Sequence, residues 1–434
     1  MPILDLLYGE MISFIFIPII FRGVYYILNG KTDKSYLYVL GTIGLILSHN
    51  ISTLLTFILG FVYVLINIDK LKDLKILKTL LLSSLIIILS VVFFEIPLLE
   101  QKSAVDLEVF RYGKMYSNTS VPGHALNPLQ LLSKNADGPD SSMYFCLGLP
   151  ILLGLLITPF AYKQNKKNKN YLYFLFTGLA TILMSTALFP WFFMPDIILM
   201  VQFPWRMLAI VTFSLSIISA INIYWLLNLV LKNIKNKKTF SIIESSIIAI
   251  LIIVSTIYSL SFICNLDIKS IDNSYYEETE IIDPVNQVSK YSAFLEYWPQ
   301  KSITSIDYVI NRDNKVHIID GNSTIQNENK TNGILDFDIT NTTDNTSLEL
   351  PYLFYKGYVV SYTPTNSNEK INLKTVESSN GLVQINIDSS ISGHINVEYH
   401  ATKLHKICIV ISVLTFTLYL FYLIKNLILN RKKQ

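Results

Sequence analysis

Arg206 ends the run Val201-Gln202-Phe203-Pro204-Trp205-Arg206 and stands directly before Met207 to Leu231, an apolar stretch long enough to cross a bilayer. Its neighbours suit a membrane boundary. Tryptophan partitions to the headgroup level, and proline at a helix start gives up a backbone donor that has no partner there anyway. A guanidinium at that depth can grip a phosphate with two parallel hydrogen bonds, whereas a simple interfacial anchor uses only its charge. Arg206, with Trp205 and Gln202 beside it, is therefore a candidate for binding a lipid phosphate. His49 is a fourth candidate, because polar groups at membrane depth are costly and default to function. Its plain alternative is to cap a tight helical hairpin.

Groups able to move a proton are fewer. Glu10 and Asp5 lie at the start of the first apolar stretch, and His124 lies in Pro122-Gly123-His124-Ala125. Glu10 is equally suited to be a partner for Arg206 or an ordinary first-turn carboxylate, and His124 to be a solvated loop histidine. Arg22, inside the first span, is read as snorkelling to the interface. There is no phosphate-binding loop, dinucleotide fingerprint, zinc-protease helix or nucleophile elbow. His394 and His400 can share a strand face, but a metal site lacks its third ligand. No cofactor is evident, and whether a divalent metal takes part stays open. Cys146, Cys264 and Cys408 form no disulfide or zinc spacing. No basic, aromatic-interleaved patch suggests nucleic acid.

The elements that must hold these residues follow from composition. The chain is 51% hydrophobic and 15% charged, with mean hydropathy +0.42, which points to an integral membrane protein. Apolar runs predict spans near 11–29, 79–98, 143–162, 171–188, 206–231, 242–263 and 405–425. The run 36–68 would measure about 50 Å as one helix, too long for a single crossing. Lysines flank it on both sides, so it is expected to cross twice, turning at Ser48-His49-Asn50. That makes about nine transmembrane helices. Lysine-rich loops then fall on one side, and 99–142, 189–205 and 264–404 on the other. A bacterial plasma membrane with the C-terminal tail 426–434 in the cytoplasm is the expected setting. Met1 to Glu10 would be external without an export signal, which suggests the C-terminal portion of a longer protein.

Four regions are expected: a multi-helix membrane domain 1–263 with external loop 99–142, an external domain 264–404, a last helix 405–425, and the tail. The external domain turns polar, and short alternating runs such as 333–339, 358–362, 382–387 and 394–399 recur between turn clusters like Asn380-Gly381. That spacing predicts a β-sandwich inserted before the last helix.

Gln202-Phe203-Pro204-Trp205-Arg206 resembles a signature of the bacterial membrane proteins called 6-pyruvoyl-tetrahydropterin synthase-related, which neighbour the YfhO-type proteins. Asp5-Leu-Leu-Tyr-Gly-Glu10, Ser48-His49-Asn50, Glu296-Tyr297-Trp298-Pro299 and Leu350-Pro-Tyr-Leu-Phe-Tyr-Lys-Gly-Tyr358 are similar to that family's pattern as well. The pterin part of that label finds no three-histidine zinc site here. The resemblance implies an architecture like the C-type glycosyltransferases, which take sugars from polyprenyl-phosphate carriers and pass them to envelope glycans or lipids. Their activating carboxylate typically sits in a first external loop that has no counterpart here. Two other classes stay open: a non-catalytic membrane-anchored protein binding a glycan or a partner, and a lipid or solute transporter. In every case membrane lipids are partners.

Overall fold

The computed structural model describes residues 2–108, 120–132, 145–199, 201–232, 236–263, 295–340, 343, 345–388 and 390–431. Residues 109–119 and 133–142 of the expected loop 99–142, the beginning of the 264–404 domain with Cys264, and the side chain of Asp5 lie outside the described residues. The chain divides into two compact units. One holds residues 9–83 and 113–278; the other holds 1–8, 84–112 and 279–434.

Nine helices of 14 residues or more occur among the described residues: α1 Pro2–Leu28, α2 Ser35–Ser48, α3 Asn50–Ile66, α4 Leu74–Ala104, α5 Leu149–Asn165, α6 Lys169–Ser185, α7 Met207–Val230, α8 Lys237–Ile263 and α9 Lys403–Arg431. They fall where the apolar runs are. Five are long and apolar enough to cross a membrane: α1, α4, α7 with its leading turn, α8 and α9. The remaining four run 14 to 17 residues, because polar residues end them early. Asn168 accepts the first backbone N–H groups of α6, and the backbone turns extended at Thr186.

The long run 36–68 is broken at His49, whose backbone is extended between α2 and α3. Both new ends are satisfied locally. The Ser52 N–H donates to His49 Nδ1 at 3.2 Å, and Thr53 Oγ1 donates to the His49 carbonyl at 2.9 Å. Such capping is what makes an interrupted helix tolerable in apolar surroundings.

Within the first unit, Phe21, Tyr63, Tyr173, Phe174 and Phe213 form a continuous aromatic cluster from α1, α3, α6 and α7. Helices α5, α6 and α7 are joined by buried polar groups. Asn222 donates to the Gly154 carbonyl at 3.0 Å and to Thr158 Oγ1 at 2.9 Å, and accepts from Tyr171 at 3.0 Å. Gly154 packs directly on Ser219, where a Cβ would collide. Small residues and amide bonds hold apolar helices together where water exclusion cannot.

The second unit holds two antiparallel sheets. Strands β1 His317–Asp320, β2 Thr324–Thr331, β3 Ile334–Thr340, β4 Thr346–Leu353, β5 Tyr358–Pro364, β6 Ile371–Leu373, β7 Thr375–Glu377, β8 Leu382–Ile387 and β9 Gly393–Tyr399 order as β1-β4-β8-β7 and β2-β3-β9-β5-β6. Phe337, Val360, Ile395 and Val397 from one sheet and Leu348, Leu350, Ile385 and Ile387 from the other share a single buried core. The expected sandwich therefore forms directly before α9. Residue alternation explains it, since inward positions on β3 are fully buried and outward ones are not. At one end Gln101, on α4, exchanges hydrogen bonds with the backbone of Lys356 at 2.6 and 2.9 Å. Glu100 pairs with Lys356 at 3.0 Å and accepts from Thr402, the residue before α9, at 2.6 Å.

Candidate functional site

The hexapeptide enters α7 through a 3-10 turn, Pro204–Arg206. Immediately before it, Gln202 adopts a left-handed backbone conformation, φ 62°. A non-glycine residue there is strained by about 1–2 kcal/mol. The conformation delivers the Gln202 side chain to Arg206: Arg206 Nη1 donates to Gln202 Oε1 at 2.7 Å and to the Val201 carbonyl at 3.0 Å. The guanidinium also lies over the Phe203 ring at 4.9 Å and the Trp205 ring at 5.8 Å. Phe203 and Trp205 stack on each other at 5.2 Å. Thus the head group is fixed by its own turn before any distant residue is counted.

The distant residue is Glu10. Arg206 Nε donates to Glu10 Oε2 at 3.1 Å, with the two side chains only 10% and 3% exposed. Gly9, the residue before it, sits against the Ser48 carbonyl, where a Cβ would collide. That contact brings α1 to the α2–α3 break, and His49 stands within electrostatic reach of Arg206. His124 meets the motif from another side, its ring edge-on to Phe203 at 5.0 Å. Of the candidate residues, Arg206, Gln202, Trp205, Glu10, His49 and His124 are gathered in one region, and Asp5 cannot be placed.

Two buried donors in this region have no acceptor among the described residues. The Trp205 indole N–H is buried, the residue being 8% exposed, and no hydrogen-bond partner among the described residues reaches it. Trp191, packed in an apolar cluster with Val121, Val201 and Met207, carries the second such indole. A buried donor without a partner typically costs about 1–3 kcal/mol.

Three features escape sequence reasoning: the left-handed Gln202, the Phe203 ring beneath Arg206, and the close approach at Gly9. Only Gly9 left a sign, as a glycine beside a carboxylate at the start of the first apolar stretch. Among the described residues no group of three or more His, Cys, Asp or Glu is placed to hold a metal. His394 contacts Asp336 and Asp338, and His400 contacts Glu398, so the two histidines do not share a site.

No family model matches the chain, and no solved structure matches it. A stretch of 96 residues is 31% identical to an uncharacterized protein of Lactococcus lactis subsp. cremoris. The match covers 22% of this chain and 15% of that protein, so the chain spans far less than two thirds of its relative. Several apolar helices are long enough to cross a membrane, consistent with an integral membrane protein, and a β-sheet region precedes the last of them.

Proposed function

We propose that this chain is a multi-pass protein of a bacterial plasma membrane that binds the phosphate of a polyprenyl-phosphate-linked sugar at Arg206. It then serves a C-type glycosyl transfer onto an envelope glycan or lipid. All nine helices cross in this reading, the four shorter ones as thin or tilted spans, with the sandwich outside and residues 426–434 in the cytoplasm. The family reading rests on the motifs quoted above, since no family model carries it.

The observation that supports the site is the Trp205 indole, unpaired among the described residues, beside a pre-positioned guanidinium. A phosphate oxygen supplies the acceptor that Trp205 lacks and the charge that Arg206 prefers, and both donors are held before it arrives. Glu10 is in this reading the carboxylate that holds Arg206 in place, and His49 and His124 line the approach. The test is binding of undecaprenyl phosphate to the protein in nanodiscs. Arg206→Ala should abolish it, and Arg206→Lys should weaken it strongly, because an ammonium lacks the planar fork. Unchanged binding in both variants leaves Arg206 as an anchor.

A second reading, a non-catalytic glycan-binding membrane protein, has one observation in its favour. On the outward face of the five-stranded sheet, Asp336, Asn396, Ser361 and Asn372 lie in one cross-strand row, and Asp338, His394 and Thr363 in the next. Short amides, carboxylates and hydroxyls of this kind can bond sugar hydroxyls. Glycan binding that survives both Arg206 variants, with no transfer from a lipid-linked sugar, would favour it.

A further inference from the structure

Helix α9 starts with charge of the unfavourable sign. Lys403 and Lys406 occupy its first turn, where unpaired backbone N–H groups make the end positive and acidic side chains are preferred. Neither lysine has a carboxylate partner among the described residues. Three acids of this unit pair elsewhere: Glu100 with Lys356 at 3.0 Å, Glu377 with Lys301 at 2.9 Å and Glu398 with His400 at 3.0 Å. Both lysines are exposed. In the topology proposed above they also lie at the outer end of a span, where basic residues oppose the usual charge bias.

Below them the helix is apolar and bare. Ile407, Val410, Leu414, Leu418 and Phe421 follow Lys403 at three- and four-residue steps, each more than half exposed. Residues so spaced share one helix face. Long side chains on a helix lean toward its N-terminus, so both ammonium groups extend past the top of this stripe. Leu404 flanks them, and Tyr399, half exposed, precedes them at the end of β9.

We infer that Lys403 and Lys406, with the stripe beneath them, form a binding surface for an anionic phospholipid. The headgroup phosphate meets the two ammonium groups, and an acyl chain lies along Ile407 to Phe421. Charge complementarity selects this occupant. A second copy of the chain docked on the same stripe in parallel would set lysine against lysine, whereas an anionic headgroup neutralises them and offsets the unfavourable helix end. The inference requires only that α9 crosses the membrane, and it is independent of the phosphate reading at Arg206.

The test uses the full chain in nanodiscs of phosphatidylcholine mixed with phosphatidylglycerol, with bound lipid counted by native mass spectrometry after mild release. The wild-type protein should retain phosphatidylglycerol over phosphatidylcholine by about fivefold per lysine engaged. The preference should shrink as ionic strength rises. Lys403→Gln and Lys406→Gln should each reduce it and together remove it, while Lys301→Gln, whose ammonium is paired with Glu377, leaves it intact. Equal retention of the two lipids by the wild-type chain overturns the inference. So does a preference that survives the double substitution, and the salt series on the wild-type chain decides the matter if that variant does not fold.

Discussion

Arg206 and Glu10, 196 residues apart, meet through a single Nε–Oε2 contact of 3.1 Å in a nearly water-free setting. The pairing ties the turn that leads into α7 to the N-terminal half of α1, beside the His49 break. Removing one partner of a buried pair is costlier than replacing both by apolar residues. Glu10→Ala alone should therefore destabilise the protein by about 3 kcal/mol. The double variant Glu10→Ala, Arg206→Leu should be the more stable of the two. Thermal unfolding in a fixed detergent checks the order, and a double variant weaker than Glu10→Ala would rule out a one-sided charge penalty.

Trp205→Phe should have opposite effects on stability and binding. Removing a buried donor without an acceptor should leave the ligand-free protein as stable or up to about 1 kcal/mol more stable. Binding of undecaprenyl phosphate should weaken about fivefold, the worth of one hydrogen bond. Loss of stability without loss of binding would mean that the indole only packs.

Gln202 separates strain from positioning. Gln202→Gly relieves the left-handed backbone at φ 62° but removes the Oε1 acceptor 2.7 Å from Arg206. The two changes should nearly cancel in unfolding temperature, each being about 1 kcal/mol. Gln202→Val keeps the strain and loses the acceptor, so it should unfold distinctly earlier than Gln202→Gly. Equal unfolding temperatures for the two would show that strain is not the controlling quantity.

The helix core offers a rescue experiment. Gly154→Ala places a methyl group on Ser219 and should cost about 1–3 kcal/mol by overpacking. Ser219→Gly in the same chain should recover much of that loss. Asn222→Leu, which strands the Tyr171 hydroxyl, should cost about 1–2 kcal/mol. All three are read by the denaturant midpoint in detergent.

The sandwich should respond to pH through His394, whose two ring nitrogens contact Asp338 at 2.9 Å and Asp336 at 3.2 Å. Hydrogen bonding to Asp338, then to Asp336, raises its pKa above the usual 6.5. A raised histidine stabilises the fold fully below about pH 6.5, and that contribution disappears as pH climbs through the raised folded value. Asp338 behaves oppositely. Its pKa is held below 3.8 by hydrogen bonds from Asn327 and His394, so its contribution is lost only as pH falls through that lowered value. Protection of β3 and β9 against hydrogen exchange, corrected for intrinsic rates, should therefore decline above neutrality. His394→Gln should flatten that decline. A variant as pH-sensitive as the parent would clear His394 of the effect.

The elements were readable because they are local. Apolar run length marked the helices, flanking lysines required the 36–68 segment to turn back, and alternation around Phe337 and Ile395 announced strands. The number of long spans was less legible. Apolar character continues past Thr186 and resumes after His49, where helices end, so longer apolar runs became helices of 14 to 17 residues.

Sequence by itself determined that this is a membrane chain with a strand-rich insertion, and that Arg206 stands at the head of an apolar helix. Those properties depend on solvent preference and short-range periodicity, which each stretch carries alone. Only tertiary structure decided that Glu10 faces Arg206, that Gln202 turns left-handed to reach it, and that the Trp205 N–H is buried without an acceptor among the described residues. Each of those outcomes depends on how close distant helices approach, down to a single absent Cβ at Gly9, and close packing is a property of the assembled chain.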